Sequence, residues 1–159
     1  MNEYVKSDLF RYYGKTDAIT FIKAILVNRT FRFQCVLRMC QSKSVLKYLG
    51  YFLWMCNRSR KSIMLPRKTK IGYGLYIGHN GPVVINPATV IGNNVNLSQF
   101  TTIGSNHNKA AIIGDNVTIG AGSVVTKCIP DNATAVGNYA KVINYNNPER
   151  YIHNRWTDV

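Results

Sequence analysis

The chain has 159 residues, which is enough for one domain with a hydrophobic core and a small appendage. It carries 20 Lys and Arg against 7 Asp and Glu, a formal net charge of +13 at pH 7, and 4 Cys. The cysteines show neither CxxC spacing nor a histidine at metal-ligand spacing, which is typical of reduced thiols in a cytosolic protein rather than of a zinc site. The first eight residues are polar and include acids, so no signal peptide is expected there.

The positive charge is concentrated in the N-terminal part of the chain. Residues 1–70 hold 15 Lys and Arg and 3 Asp and Glu, a net charge of +12, whereas residues 71–159 hold 5 and 4, a net charge of +1. Such an excess indicates an acidic partner, either an anionic membrane surface or an acidic glycan, or else a basic face that serves only solubility. Nucleic acid is not expected as a partner, because no helix-turn-helix, zinc-finger or RNP-type signature accompanies the charge.

The first 62 residues are predicted to be a basic helical segment. An apolar run in the last of its helices is too short to span a bilayer, but it suits a helix that lies on a membrane surface or packs on the domain that follows. The predicted helices are residues 8–13, a helix capped by Thr16 or Asp17 with the apolar stripe Ile19, Ile22, Ile25 and Leu26, residues 31–41, and residues 44–57.

Residues 65–130 carry a repeat with a period of six. Each unit has to stack on its neighbours in order to bury its aliphatic residue. Six residues suit one short strand and a corner, so three units form one triangular coil of a parallel β-helix, with Gly or Asn at the tight corners. The aliphatic column consists of Leu65, Ile71, Ile77, Ile85, Ile91, Leu97, Ile103, Ile113, Ile119 and Val125.

The repeat is interrupted twice. Two extra residues, Val83 and Val84, follow the unit that carries His79, and four more extrude a loop around His107. In a rigid stack of coils, insertions lie in loops on the functional face. Both interruptions lie near a histidine, which makes this side of the predicted β-helix the candidate site.

Two stretches resemble the hexapeptide-repeat acyltransferases: HNGPVVINPATVIGNNVNLSQFTTIG (residues 79–104) and IGAGSVVTKCIPDNATAVGNYAKV (residues 119–142). Within that family the chain is most similar to the serine acetyltransferase branch and its relatives in polysaccharide-modification pathways. The resemblance implies a mainly β protein. Its left-handed parallel β-helix would span residues 63–143, between the helical segment 1–62 and a polar tail 144–159. It also implies a homotrimer in which two subunits build each site.

The resemblance implies that the protein transfers an acetyl group from acetyl-CoA. Direct transfer of an acetyl group from a thioester to a hydroxyl requires a general base, donors for the oxyanion and a groove for the pantetheine arm. Imidazole is the natural base near neutral pH. His79 occupies a corner flanked by Gly and Asn and matches the position of the family's catalytic base. We therefore expect an O-acetyltransferase with His79 as general base, acetyl-CoA as cosubstrate and no metal.

The remaining candidates follow from the resemblance and from proximity in the repeat. His107 is a candidate for the acceptor pocket, whereas His153 matches nothing in the family. The residues that could orient the base or bind the acceptor are Asn80, Asn86, Asn96 and Gln99. Coenzyme A contacts are expected at the backbone of Gly104, Ser105 and Ala121, with Lys127 and Lys141 as candidate phosphate partners.

The departures from the serine enzymes bear on the acceptor. Those enzymes carry an Asp-Ile-His-Pro sequence where this chain has residues 63–66, Ile-Met-Leu-Pro, and an acid where it has Gly78. In the serine enzymes the first of these acids orients the catalytic base and the second holds the amino-acid substrate. Because both are absent here, the expected acceptor is a sugar hydroxyl of a capsular, exo- or lipopolysaccharide or of its precursor. The alternative is L-serine, as in a serine O-acetyltransferase of cysteine biosynthesis.

Two other functions are compatible with a β-helix. A γ-type carbonic anhydrase binds zinc through three histidines, and the repeat has no third histidine beside His79 and His107. A non-catalytic scaffold is disfavoured by the retained His79 corner and IGAG coil. The expected location is the cytoplasm, with any membrane contact peripheral to the inner face.

Overall fold

The computed structural model describes residues 1–58, 63–79, 81–106, 109–146 and 148–157. The chain begins with four helices: α1 (Glu3–Tyr13), α2 (Ala18–Val27), α3 (Arg29–Gln41) and α4 (Leu46–Arg58). All four predicted helices are confirmed, although α1 begins at Glu3 rather than Asp8 because the side chain of Asn2 caps it and accepts the amide N–H of Tyr4 at 2.9 Å. No helix in the described ranges is long and apolar enough to cross a membrane.

Short strands follow the helices. A 3₁₀ turn (Pro148–Arg150) lies near the end of the chain. The strands are β1 (Ile63–Met64), β2 (Lys70–Ile71), β3 (Tyr76–Ile77), β4 (Val83–Ile85), β5 (Val90–Ile91), β6 (Asn96–Leu97), β7 (Thr101–Ile103), β8 (Ser105–Asn106), β9 (Lys109–Ala110), β10 (Ile112–Ile113), β11 (Thr118–Ile119), β12 (Val124–Val125), β13 (Thr134–Val136) and β14 (Lys141–Asn144).

The strands form the three faces of a prism. Sheet I has the order β1-β4-β7-β12, sheet II the order β2-β5-β10, and sheet III the order β3-β6-β11-β13, all with parallel pairing; β14 adds to the edge of sheet III in the antiparallel direction. One strand from each sheet makes one coil, so coils 1, 2 and 3 cover residues 63–77, 83–97 and 101–119. The hairpin β8–β9 projects from coil 3. The predicted left-handed parallel β-helix with preceding helices is confirmed.

The predicted aliphatic column fills the interior of the prism, where every member is at most 9% exposed. A second inward column lies two residues before the first and was not predicted from the sequence. It exists because alternate residues of an extended segment point to the same side. Its members are small or β-branched apart from one leucine: Thr69, Leu75, Val83, Thr89, Val95, Thr101, Ala111, Val117 and Ser123.

The corner between sheets II and III is built from asparagines, as the repeat predicts. Asn94, Asn116 and Asn132 have φ angles of 53°, 55° and 58°, in the left-handed region that asparagine tolerates. The amide of Asn94 donates to Asn116 at 3.3 Å, and that of Asn116 donates to Asn132 at 3.0 Å. We call this stack the asparagine ladder; it links coils 2 and 3 to the residues that follow.

The helices cap the open end of coil 1. Between coils, carbonyls of one coil accept amides of the coil before it: Gly72, Tyr76 and Gly78 donate to Ile91, Val95 and Leu97, each at 2.9 Å. The corresponding carbonyls of coil 1 have no preceding coil, and such backbone groups need other partners. Side chains of α1 and α3 supply them: Arg38 donates to Ile71 at 3.1 Å, Gln34 to Leu75 at 2.7 Å, and the Tyr12 hydroxyl lies 2.9 Å from the Ile77 carbonyl.

A buried ion pair lies at the centre of this cap. The Nε and Nη2 atoms of Arg38 contact the two carboxylate oxygens of Asp8 at 2.8 and 3.0 Å, and both side chains are at most 2% exposed. Asp8 also accepts the amide of Leu75 at 2.8 Å, and Arg38 donates to the Gly72 carbonyl at 2.7 Å. Burial raises the pKa of Asp8 above the usual carboxyl value, while the charge and hydrogen bonds of Arg38 oppose that shift.

Replacing Asp8 with Ala should therefore destabilise the fold by about 3–5 kcal/mol, because the buried Arg38 guanidinium loses its counter-charge. The matched control is Glu3→Ala, which removes the exposed pair that Glu3 forms with Lys6 on the same helix and should change the stability little. Urea unfolding followed by circular dichroism measures both variants. Similar losses for the two variants would contradict the role of the buried pair.

Candidate functional site

His79 lies at the corner between sheets III and I, directly after β3, with its side chain exposed. Its φ angle is 60°, and Phe100, on the same corner one coil further, has a φ angle of 61°. Bulky residues such as Phe seldom adopt this conformation, His does so more often but still uncommonly, and left-handed backbone of this kind clusters at functional sites. The predicted catalytic residue is therefore presented to solvent by a strained corner.

Side chains of α1 and α3 hold β3, the strand that precedes His79. The hydroxyl of Tyr12 lies 2.6 Å from Oε1 of Gln34 and 2.9 Å from the carbonyl of Ile77, and it accepts the Ile77 amide at 3.2 Å. Burial raises the pKa of Tyr12 well above its ordinary value, so the hydroxyl keeps its proton. Tyr12 and Gln34 are thus positioning residues for the corner, and no sequence signal distinguishes them from ordinary residues of amphipathic helices.

A polar cavity of about 320 Å³ opens beside His79. It lies between the end of α1, the junction of α2 and α3, and β3. None of the described residues that line it is acidic, and the sequence has no Asp or Glu between Asp17 and Asp115. Asn28 caps α3 at this cavity and accepts the amide of Phe31 at 2.9 Å. The lining residues are Tyr12, Tyr13, Val27, Asn28, Arg29, Thr30, Tyr76, Ile77 and His79.

Gln99 occupies the same corner one coil beyond His79. A Cβ atom on Gly81 would lie 2.3 Å from Cβ of Gln99, which shows how closely the two coils approach. The Gln99 carbonyl accepts the amide of Gly122 at 3.0 Å, on the next coil. The side-chain Oε1 of Gln99 is buried and has no hydrogen-bond partner in the part of the chain that the structure describes. A buried acceptor of this kind is a candidate for binding a donor from a ligand.

His79, Gln99 and Ala121 lie one coil apart along the same corner, and we call this line of residues the path. Adjacent coils are about 4.8 Å apart, so two coils separate His79 from Ala121 by about 10 Å. Ala121 and Gly122 are exposed, and among the described residues a Cβ on Gly122 would meet no atom within 4 Å. The path is therefore open at the end where the sequence predicts a place for the pantetheine arm.

The other predicted coenzyme A residues border β12, the last strand of sheet I. Gly104 and Ser105 lie at the corner between sheets I and II, where the Gly104 amide donates to the Val125 carbonyl at 2.9 Å. Lys127 is exposed just beyond that end of β12, and Ala121 precedes its other end. Lys141 begins β14, next to Ala140, whose amide donates to Val124 at 2.8 Å.

The structure does not bring Asn86 or Asn96 to His79 within one chain. Asn86 follows β4 at another corner, where its side chain accepts the amide of Ala88 at 2.9 Å. Asn96 lies on the outward face of sheet III, where it accepts a hydrogen bond from Arg11 and donates to the Tyr151 carbonyl at 2.6 Å. The predicted residues Asn80 and His107 lie outside the described residues.

Within the described ranges, no group of three or more His, Cys, Asp or Glu side chains could hold a metal ion. Cys35 and Cys40 are buried free thiols, and Cys56 and Cys128 are exposed ones. Burial raises the pKa of Cys35 to about 12, so this thiol stays protonated at neutral pH.

No family model matches the chain. Two curated relatives are a chloroplastic serine acetyltransferase of Arabidopsis thaliana, 30% identical over 129 residues, and the galactoside O-acetyltransferase of Escherichia coli, 47% identical over 64 residues. These alignments cover 60% and 40% of this chain but only 41% and 29% of the relatives, so the chain spans less than half of each. The chain is similar to acetyltransferases.

Solved structures give the same similarity at the level of the fold. The serine acetyltransferase of Neisseria gonorrhoeae in complex with serine matches with a TM-score of 0.64 at 26% identity, covering 88% of this chain and 67% of that one. The serine acetyltransferase of Brucella abortus in complex with coenzyme A matches with a TM-score of 0.65 at 22% identity, covering 90% and 67%. The second likeness supports the fold alone. The predicted membership of a polysaccharide-pathway branch stays a prediction.

Replacing Gln99 with Met should raise the free energy of unfolding by about 1 kcal/mol, because it removes a buried oxygen that gains no hydrogen bond on folding. Thr89→Val is the matched control. The hydroxyl oxygen of Thr89 is also buried without a partner in the described chain. Thr89, however, belongs to the inward column and lies away from the corner. Urea unfolding measures both variants. A clear loss of stability in Gln99→Met would show that Oε1 has a partner in the assembled protein.

Proposed function

We propose that the protein is an acetyl-CoA-dependent O-acetyltransferase with His79 as general base. The observation that carries the proposal is the placement of His79 on a strained, exposed corner. A polar cavity lies on one side of it and an open path past Gln99 to Ala121 lies on the other. The similarity to acetyltransferases supports the same activity. The cavity is the site for the acceptor, and the path is the site for the pantetheine arm of the cosubstrate.

The reaction needs no covalent enzyme intermediate. The acceptor hydroxyl attacks the thioester carbonyl while the imidazole of His79 removes its proton, which forms the new C–O bond. Collapse of the tetrahedral intermediate breaks the C–S bond, and the proton from His79 goes to the coenzyme A thiolate. Oε1 of Gln99 is buried and has no partner among the described residues, so it would accept an amide N–H of the pantetheine arm once the Gln99 side chain turns toward that arm.

L-Serine is the acceptor that the comparisons favour. The relatives and solved structures with the longest alignments are serine acetyltransferases, and one of the solved structures contains serine. Serine O-acetylation, which the sequence analysis gave as the alternative, therefore has stronger support than acetylation of a polysaccharide.

A sugar hydroxyl remains the second candidate because of the cavity's chemistry. Recognition of the serine ammonium group calls for an anion, and the lining of the cavity has none. Asp115, the first acid after Asp17, lies in the corner between sheets II and III, where its side chain accepts the Asn93 amide at 2.6 Å. Tyr and Asn side chains such as Tyr13 and Asn28 suit the hydroxyls of an uncharged acceptor. The match to a galactoside enzyme supports this candidate.

We also propose a homotrimer in which a neighbouring subunit completes each site. Four outward residues of sheets I and II are apolar and exposed on the single chain: Met64, Val84, Val90 and Ile112. Burial of such surface is the main driving force of association. The hairpin β8–β9 projects from the same pair of sheets and would contact the neighbour.

Replacing His79 with Ala should lower turnover by about 10²–10⁴, the range for loss of a general base. Acetyl-CoA affinity should persist, because the proposed contacts lie further along the stack. Thiol release measures turnover, and calorimetry measures affinity. Sedimentation verifies that the variant keeps the wild-type oligomeric state. His153→Ala, at an exposed position in the tail, is the control. Turnover within a few-fold of the wild type would make His79 structural and direct attention to His107.

Acceptor choice is decided by saturation kinetics with one enzyme preparation. L-Serine is compared with a panel of nucleotide sugars, lipid-linked sugars and capsule oligosaccharides at a fixed acetyl-CoA concentration. Saturable serine turnover of about 1 s⁻¹ or more, within the ordinary range for enzymes, is the result that the comparisons lead us to expect. Turnover of a sugar with serine inert would instead assign a sugar hydroxyl as the acceptor.

The Gln99→Met variant adds a second functional measurement. If Gln99 binds the pantetheine arm, the variant should have weaker acetyl-CoA affinity even though it is no less stable. Thr89→Val should leave affinity and turnover unchanged. Equal affinities for both variants and the wild type would remove Gln99 from the proposed site.

A further inference from the structure

The apolar side of α4 faces away from the protein. Val45, immediately before the helix, and Tyr48, Leu49, Phe52 and Met55 are each between 49% and 81% exposed. Their spacing of three and four residues places them on one side of the helix. We call these five residues the α4 stripe. A contiguous apolar surface of this kind on a folded chain marks an interaction site rather than a core.

The opposite side of α4 is already packed, so the α4 stripe is not a core face that awaits burial within the chain. The rings of Trp54 and Phe33 lie 5.4 Å apart, and Trp54 packs against the core of the β-helix. A Cβ on Gly50 would lie 2.8 Å from the backbone nitrogen of Cys40, so α3 and α4 are in close contact. Lys47, the one charged residue between Leu46 and Asn57, is half-buried. The helix is therefore held in place with its apolar side outward.

A basic cavity adjoins the beginning of this helix. It has a volume of about 890 Å³, and four of its lining residues are Lys43, Arg67, Lys68 and Lys70, with no carboxylate among the described residues that line it. The guanidinium of Arg67 lies 4.5 Å from the ring centroid of Tyr51, which ties the basic cavity to α4. Because the sequence has no acid between Asp17 and Asp115, no carboxylate from that long stretch neutralises this surface.

We propose that the α4 stripe and the basic cavity together dock the protein on an anionic membrane surface. The stripe enters the boundary between headgroups and acyl chains, and the cations bind lipid phosphates. Interfacial helices combine these two features, an apolar face and neighbouring cations. A second copy of the chain would bring like charges together at this surface, and an acidic glycan would leave the apolar stripe without a partner.

Flotation of the full-length protein with vesicles tests the proposal. Phosphatidylcholine vesicles with phosphatidylglycerol should bind the protein, and pure phosphatidylcholine vesicles should bind it weakly. Binding to the anionic vesicles should weaken as salt rises from about 0.1 M to about 1 M, where the screening length falls from about 10 Å to about 3 Å. Strong, salt-independent binding to both compositions would overturn the role of the basic cavity.

Variants locate the surface. Leu49→Ser with Phe52→Ser should reduce binding to anionic vesicles by about tenfold or more, because two large apolar side chains no longer enter the lipid. Ile19→Ser with Ile22→Ser is the matched control, since these residues form an exposed apolar pair on α2, and it should bind within about twofold of the wild type. Replacing Lys43, Lys68 and Lys70 with Gln should reduce both the affinity and its dependence on salt.

Three results would overturn the proposal. Loss of binding in the α2 control equal to that in the α4 variant would place the contact elsewhere. Larger assemblies without vesicles, abolished by the α4 variant and accompanied by no flotation, would make a second copy the occupant. Salt-dependent binding to an acidic oligosaccharide, unaffected by the α4 variant and again without flotation, would assign the charge to a glycan.

Discussion

The unpaired edge of the first coil is the constraint on which the rest of the structure depends. In a parallel β-helix each coil satisfies the backbone groups of the next, so the first coil has carbonyls and amides that need other partners. Here Arg38, Gln34 and Tyr12 provide hydrogen bonds to the carbonyls of coil 1. Asp8 balances the charge of the buried Arg38. At a solvent-exposed end, water would satisfy these backbone groups. Because this end is buried, the helical segment has to supply both the cover and the hydrogen bonds.

The same cap forms the site. Tyr12 bonds to the strand that precedes His79, and Tyr12 and Tyr13 then line the cavity that opens beside it. The residues that hold the fold together at its open end therefore also set the position of the candidate base and the shape of the cavity proposed for the acceptor. Mutations in α1 and at the α2–α3 junction should change the stability of the cap and the lining of this cavity at once.

Much of the β-helix could be predicted from the sequence, and most of the cap could not. The period of six places Ile91 inside and Asn94 at a corner, because the spacing fixes both the direction of a side chain and the backbone it must adopt. Nothing in a helical pattern shows that Arg38 is buried against a carboxylate, since the pairing with Asp8 is tertiary. Periodicity also groups Ile19 and Ile22 on one side of α2 without showing that this side faces outward. The His79 corner was found by its interruption and its resemblance, whereas its cavity depends on helices distant in the chain.

The asparagine ladder has a consequence for how this chain can change in length. Coils 2 and 3 pass from sheet II to sheet III through the same number of residues, because a shifted Asn116 would lose its partners Asn94 and Asn132 on either side. The two interruptions of the repeat fall at the other two corners, after β3 and after β7. The corner with the asparagine ladder thus keeps a constant number of residues per coil. Insertions or deletions are confined to the two other corners, which carry His79 and the β8–β9 hairpin. Changes in loop length at those two corners can therefore alter the surroundings of His79, while the asparagine ladder preserves the register of the coils.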